Sequence, residues 1–474
     1  MNEYQIPVDF KWGGAISANQ AEGAYLTDGR GLSAVDILPE GKERAYAIFH
    51  PTEALKTTYS YYPSHEAIDF YHHFKEDIKM LAGMGLKCFR TSISWPRIFP
   101  NGDDTKPNDA GLRFYDELFE ECARYGMDIL VTMNHFDTPL ALIKKYGGWS
   151  NRQVLDCYIN YVRTICHRYA GKVKYWIPVN EINMLMHVPY LGAGMLADAD
   201  VLTDTQKYQA AHHQLLACAM AAKIARNEDP QCQIGCMLAA GAVYPHSCKP
   251  DDVLAAMASE HESYFFIDVQ VRGYYPSYAK ALFREKHIDL KIQPEDEQLL
   301  AENTVDFIAF SYYSSRCVAA EDTGHKVEGN AFTGVSNPYL ETSDWGWQLD
   351  AKGLRVTMHQ LYDRYQKPLF IVENGLGAVD TLTEDQTIED DYRIAYHRAH
   401  IEEMIKAMSE GVEMIGYLTW GVIDLVSSGS GEMKKRYGFI YVDKDNGGAG
   451  TLKRYPKKSY TWYRSVIESN GQHL

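Results

Sequence analysis

Eight short apolar or β-branched runs recur along the 474 residues, each followed by a longer stretch of helical periodicity, and this alternation constrains the fold more than any other feature. The runs lie at residues 10–20, 88–95, 128–135, 175–181, 233–240, 305–313, 368–374 and 415–424. Between them, 69–84, 151–169, 205–225 and 391–408 carry acids and bases on one face and Leu, Ile, Met or Tyr on the other, as helices outside a parallel sheet do. An open doubly wound sheet would usually show Gly-x-Gly-x-x-Gly after a strand, and none of the eight runs is followed by one. The expected fold is therefore α/β, a (β/α)8 or TIM barrel. Such barrels pass about 400 residues through loop insertions, and no linker-like segment divides the chain, so 1–474 is expected to form a single catalytic domain. The stretches 45–63 and 321–344 read as long insertions on the C-terminal face.

Several function classes are disfavoured. The first ten residues contain Glu3 and Asp9 and no apolar core of a signal peptide, and no run of about 18 apolar residues could span a membrane. A net charge of −16 repels a phosphate backbone, so no nucleic-acid partner is expected. The nine cysteines, from Cys88 to Cys317, include no Cys-x-x-Cys pair and read as reduced thiols; Cys232 and Cys236 are the closest. His72-His73 and His212-His213 lie in helical stretches where adjacent side chains diverge by about 100°, which reads as structural. No metal and no cofactor are expected. The sequence is compatible with a homo-oligomer and carries no signal that decides it.

In a barrel the chemistry sits where strands end at the C-terminal face, so polar residues closing apolar runs are the informative ones. These are Gln20, Arg90, His135, Asn180 with Glu181, Tyr313, Glu373 with Asn374, and Trp420. Glu181 and Glu373 end the fourth and seventh runs. Glycoside hydrolysis needs one carboxylic acid to protonate the leaving oxygen and one carboxylate on the other face of the sugar. A lone glutamate there could equally begin a surface loop. Its neighbours favour chemistry: Arg90 and Tyr313 could hold one carboxylate and separate the proton affinities of the two acids. Asn180, Gln20 and His135 offer donors for sugar hydroxyls, and Trp420 and Trp347 offer flat apolar surfaces for a pyranose face.

These residues lie in motifs spread over essentially the whole chain: Phe10-Lys-Trp-Gly-Gly-Ala-Ile-Ser-Ala-Asn-Gln-Ala-Glu-Gly23, Phe89-Arg-Thr-Ser-Ile-Ser-Trp-Pro-Arg97, Asn134-His-Phe-Asp-Thr-Pro139, Asn180-Glu181 and Ile371-Val-Glu-Asn-Gly375. In them the sequence resembles the retaining β-glycosidases of glycoside hydrolase family one. The resemblance implies Glu181 as acid/base, Glu373 as nucleophile attended by Arg90 and Tyr313, and Gln20, His135, Asn180 and Trp420 as glycone ligands. Three positions depart from the family pattern: Pro178 where Thr is usual, Ile182 where Pro is usual, and Ser311 where Asn is usual. The last removes an amide that often supports the site.

Family members acting on plain glucosides carry a Glu-Trp pair after the eighth strand; here Ser427 and Ser428 stand in those places. A carboxylate would repel a 6-phosphate, whereas hydroxyls and amides of Val426-Ser-Ser-Gly-Ser-Gly431 can donate to one. Lys434-Lys435-Arg436-Tyr437 follows, a basic cluster on an acidic chain. Standing alone it would read as a solvated charge run. Serine followed by Lys435 and Tyr437 resembles the phospho-β-glycosidase branch of the family, which implies a small phosphorylated glycoside as substrate and a cytoplasmic location. The small Ser428 leans towards 6-phospho-glucosides, hydrolysed with retention to glucose 6-phosphate. The alternatives are a 6-phospho-galactosidase, an enzyme for unphosphorylated glucosides, and, remotely, a non-catalytic sugar-binding barrel. Trp345 reads equally as a sugar contact or as packing for the long loop.

Overall fold

The computed structural model describes residues 4–321 and 334–474. Eight parallel strands close into a barrel: β1 (Lys11–Ala15), β2 (Cys88–Ser92), β3 (Asp128–Asn134), β4 (Tyr175–Val179), β5 (Gln233–Ala240), β6 (Phe307–Tyr312), β7 (Leu369–Asn374) and β8 (Met414–Trp420). Each pairs with its neighbours in chain order, and β8 returns to β1, so the barrel itself has no open strand edge. The expected (β/α)8 barrel is the observed fold. Nearly every strand residue is buried, which is why the strands read as continuous apolar runs rather than as alternations. At Gly13 an added Cβ would stand 2.0 Å from the Cys88 carbonyl oxygen, so β1 can approach β2 only with glycine there.

Long helices cover the barrel, among them Phe70–Gly83, Arg152–Tyr169, Asp204–Glu228 and Asp391–Ser409, close to the four periodic stretches of the sequence. Their starts are chemically marked: Asn151 accepts from the Gln153 amide, and Thr203 and Gln206 form a capping box. His212 bonds Tyr275 and Asp296, and His213 bonds the Trp149 carbonyl, which ties this helix to its neighbours as a structural role requires.

Three boundaries differ from expectation by three residues or more. The first run ends as a strand at Ala15, and residues Ala18–Ala21 form a short helix, so Gln20 reaches the barrel mouth from a helical turn. Trp95 likewise opens a short helix, Trp95–Ile98, and the eighth strand stops at Trp420. The first half of the insertion expected at 45–63 is helical, within Gly41–Phe49 and Pro51–Ala54, and packs in a second apolar cluster containing Val35, Leu38, Ile48, Leu140 and Leu191. Of the insertion expected at 321–344, residues 322–333 lie outside the described residues. Among the described residues no helix is long and apolar enough to cross a membrane.

Candidate active site

A cavity of about 490 Å³ opens where the barrel strands end, large enough for a sugar with part of its leaving group. Thirteen of the fourteen residues singled out from the sequence line it; the fourteenth, Arg90, lies immediately beneath.

The two glutamates reach this cavity by different backbones. Glu373 is the fifth residue of the six-residue β7 and is buried. Glu181 follows β4 with φ 38° and ψ 56°, a left-handed conformation that costs a non-glycine residue about 1–3 kcal/mol and tends to persist where a site over-determines it. Arg90, inside β2 rather than at its end, donates from Nη1 to Glu373 Oε1 at 2.6 Å and from Nη2 to Asn180 Oδ1 at 2.6 Å. Thr132 Oγ1 accepts from its Nε, so the guanidinium plane is held on three sides. Tyr313 Oη donates to Glu373 Oε2 at 2.6 Å, which leaves each oxygen of that carboxylate with one strong donor.

Glu181 has a contrasting environment. Its Oε1 accepts from Ser311 Oγ at 2.5 Å, so the hydroxyl that replaces the usual family asparagine contacts the acid directly. Burial, then repulsion from Glu373, pushes the Glu181 carboxyl up to about 8, against the opposing pull of the Ser311 hydrogen bond and the Arg90 charge. At neutral pH it is predominantly a protonated acid facing an ion-paired carboxylate.

Around this pair, His135 stacks on Trp420 with ring centroids 5.7 Å apart and planes 17° apart. Burial, reinforced by Arg90, holds the imidazole well below its usual range, and its Nδ1 has no hydrogen-bond partner among the described residues. Because arginine cannot accept, the Asn180 amide is fixed with its oxygen on Arg90, leaving its N–H donors for other partners. Gln20 is pinned by donating to the Val426 carbonyl at 2.7 Å and accepting from Ser17 Oγ at 2.8 Å. Its link to Val426 ties the first barrel unit to the serine loop. Trp347 is buried edge-on to Tyr313, with ring centroids 5.3 Å apart.

The basic run divides by position. Lys434 pairs with Glu432 at 2.8 Å, and Arg436 pairs with Asp424 at 2.8 Å while donating to the Val442 and Lys444 carbonyls. Lys435 points between them into the cavity. Its Nζ lies 4.1 Å from the Trp347 ring centre, 5.0 Å from that of Trp345 and 5.9 Å from that of Tyr437. Among the described residues no carboxylate lies within ion-pair distance of it. Burial pushes its pKa down to about 8, and only distant Glu432 opposes this. Gly377 makes the space: an added Cβ would fall 2.8 Å from Lys435 Cγ and Cε and 3.0 Å from Tyr437 Cζ. Ser427 and Ser428 line the same end, on a loop closed by Gly431 N–H donating to the Ser427 carbonyl at 2.8 Å.

Two contributors were not singled out as site residues by the sequence, although the insertion at 45–63 was expected on this face. The Ala45, Ile48 and Phe49 face of the helical insertion forms part of the cavity wall, and Arg44 of the same helix donates to the Ser428 carbonyl at 2.7 Å. Both depend on contacts between distant parts of the chain.

Comparison with known proteins agrees with this geometry. Residues 2–472 match the family model described as Glycosyl hydrolase family 1. The chain is 51% identical over 471 residues to a 6-phospho-beta-glucosidase, AscB, of Escherichia coli (strain K12), covering 99% of each. It is 52% identical over 474 residues to the aryl-phospho-beta-D-glucosidase BglH of Bacillus subtilis (strain 168), covering 100% of this chain and 99% of that one. Among solved structures, the family 1 b-glucosidase from Thermotoga maritima superposes with a TM-score of 0.85 at 30% identity over the full length of both chains. The closed barrel, the two glutamates in one cavity and the match along almost its entire length make this chain a member of glycosyl hydrolase family 1.

Proposed function

We propose that the protein hydrolyses β-linked 6-phospho-glucosides with retention, releasing glucose 6-phosphate, and that residues 1–474 act as one catalytic domain. In this reading Glu373 attacks the anomeric carbon while Glu181 protonates the departing oxygen; Glu181 then takes a proton from water, which releases the sugar from Glu373. Arg90 and Tyr313 orient the nucleophile. Asn180, Gln20, His135 and Trp420 bind the glycone, with Trp345 and Trp347 walling the side towards Lys435.

The observation that carries the phosphate is Lys435, a buried ammonium that shares a cavity with both glutamates and has no carboxylate partner among the described residues. A charge so placed is costly until an anion arrives. Ser427, Ser428 and the Tyr437 hydroxyl supply donors beside it. The relatives at 51% and 52% identity bear phospho-glucosidase names, which supports the same substrate class. Such a substrate, phosphorylated on uptake, fits an enzyme of the cytoplasm.

The test compares hydrolysis of 4-nitrophenyl β-glucoside with and without a 6-phosphate, and of the 6-phospho-galactoside. The reading expects kcat/KM to favour the phosphorylated glucoside by about 100-fold or more, the value of one or two charge-assisted hydrogen bonds. Equal rates with and without phosphate would reject it. Proton NMR of the first-formed product should show the β anomer.

A further inference from the structure

Arg44 lies outside the cavity lining, on the helix Gly41–Phe49, and is only 3% exposed. Its Nε donates to the Ser428 carbonyl at 2.7 Å and its Nη1 to the Pro39 carbonyl at 3.1 Å. Asp36, the carboxylate whose field it feels, is already paired with Arg30 at 2.8 Å. A buried guanidinium held by carbonyl oxygens keeps its positive charge uncompensated. Burial lowers its pKa to about 10, which leaves it charged at neutral pH.

Peptide geometry gives this contact a consequence. In a trans peptide the carbonyl and the following N–H point in opposite directions. With the Ser428 carbonyl turned to Arg44, the Gly429 N–H is turned away from Arg44. Gly429 lines the cavity, and its N–H has no hydrogen-bond partner among the described residues. The same helix start holds the loop a second time: Gly41 N–H donates to the Ser430 carbonyl at 2.7 Å. Ser430 also lines the cavity, and its hydroxyl is buried without a hydrogen-bond partner among the described residues.

We propose that Arg44 is a positioning residue that sets specificity for the phosphoryl group: it holds the Ser428-Gly429 peptide so that the Gly429 N–H is presented to the anion, and it backs the serine loop with a second positive charge besides Lys435. This rests on the 6-phospho-glucoside reading above. Arg44 touches neither the sugar nor the reacting atoms; it acts through the loop.

The experiment measures kcat and KM of Arg44→Met and Arg44→Gln on 4-nitrophenyl β-glucoside 6-phosphate and on the plain glucoside, with inhibition by inorganic phosphate alongside. For Arg44→Met, KM on the phosphorylated substrate and the phosphate inhibition constant should rise about 10-fold or more, kcat should stay within about 3-fold, and the plain substrate should be unaffected. Arg44→Gln keeps one donor without the charge and should fall between. Equal losses on both substrates, or none on either, would overturn the assignment. Should Arg44→Met fail to fold, Arg44→Lys keeps the charge but loses the fork that reaches both carbonyls; a lower phosphorylated-to-plain ratio supports the assignment and an unchanged ratio overturns it. A wild-type enzyme indifferent to phosphate would instead remove the functional reading itself.

Discussion

Arg90 and Glu373, 283 residues apart in sequence, form a buried ion pair with Nη1 and Oε1 separated by 2.6 Å. Removing one partner of such a pair strands the other charge. Arg90→Met should therefore lower stability by about 3–5 kcal/mol at neutral pH, read by denaturant unfolding. The double variant Arg90→Met with Glu373→Gln should recover much of that loss, since no uncompensated carboxylate remains. A double variant as unstable as Arg90→Met would mean that packing, not charge, sets the cost.

The Ser311 hydroxyl stabilises the ionised form of Glu181 and so pulls its pKa down against burial and Glu373. Ser311→Ala removes that pull. In the proposed mechanism Glu181 must carry a proton when substrate binds, so the alkaline limb of kcat/KM should lie near pH 8 in the wild type and move upwards in Ser311→Ala. A downward move would contradict the assigned direction of the bond.

Glu181 also links activity to stability. Its folded pKa, about 8, stands above the ordinary glutamate value of 4.5, so the folded state holds a proton that the unfolded state has released between those pH values. Stability from this group is fully present below pH 4.5 and is lost as pH rises through about 8. Glu181→Gln carries no such dependence. Its thermal midpoint should match the wild type near pH 4 and exceed it increasingly towards pH 8; a constant difference across that range would exclude the linkage.

Lys435 and Lys434 are adjacent yet should behave differently. Lys435→Met should cut kcat/KM on the phosphorylated glucoside by about 100-fold and leave the plain glucoside near the wild-type value. Lys434→Met, which loses a partly exposed pair with Glu432 and a peripheral contact 5.8 Å from the Trp345 ring centre, should change either by less than about 3-fold. With its pKa lowered to about 8, Lys435 loses its charge in the same range as Glu181 loses its proton. The alkaline fall of kcat/KM should thus be steeper on the phosphorylated substrate, and Lys435→Met should abolish the extra steepness.

The barrel was readable because strands buried on both faces leave unbroken apolar runs, and Gln233–Ala240 has the limits its run suggested. Strand ends were less readable where a short helix follows at once, as at Ala18–Ala21, since four residues carry too little periodicity to separate from the run. Glu181 and Glu373 were visible because polar residues closing apolar runs are few. The Ser311 contact with Glu181 spans 130 residues and that of Arg44 with Ser428 spans 384, and no local pattern encodes such pairs. The helical character of 41–54 was hidden by its mixed, tyrosine-bearing composition.

From Lys434 to Tyr437 the side chains take turns: surface, cavity, buried ion pair, cavity. A one-residue deletion in the preceding loop would hand each duty to the wrong neighbour, sending an ammonium outward and drawing a guanidinium away from Asp424. Lineages that retune the sugar's 6-position are thus expected to change side chains at fixed spacing, while conserving the length of chain between Trp420 and Tyr437.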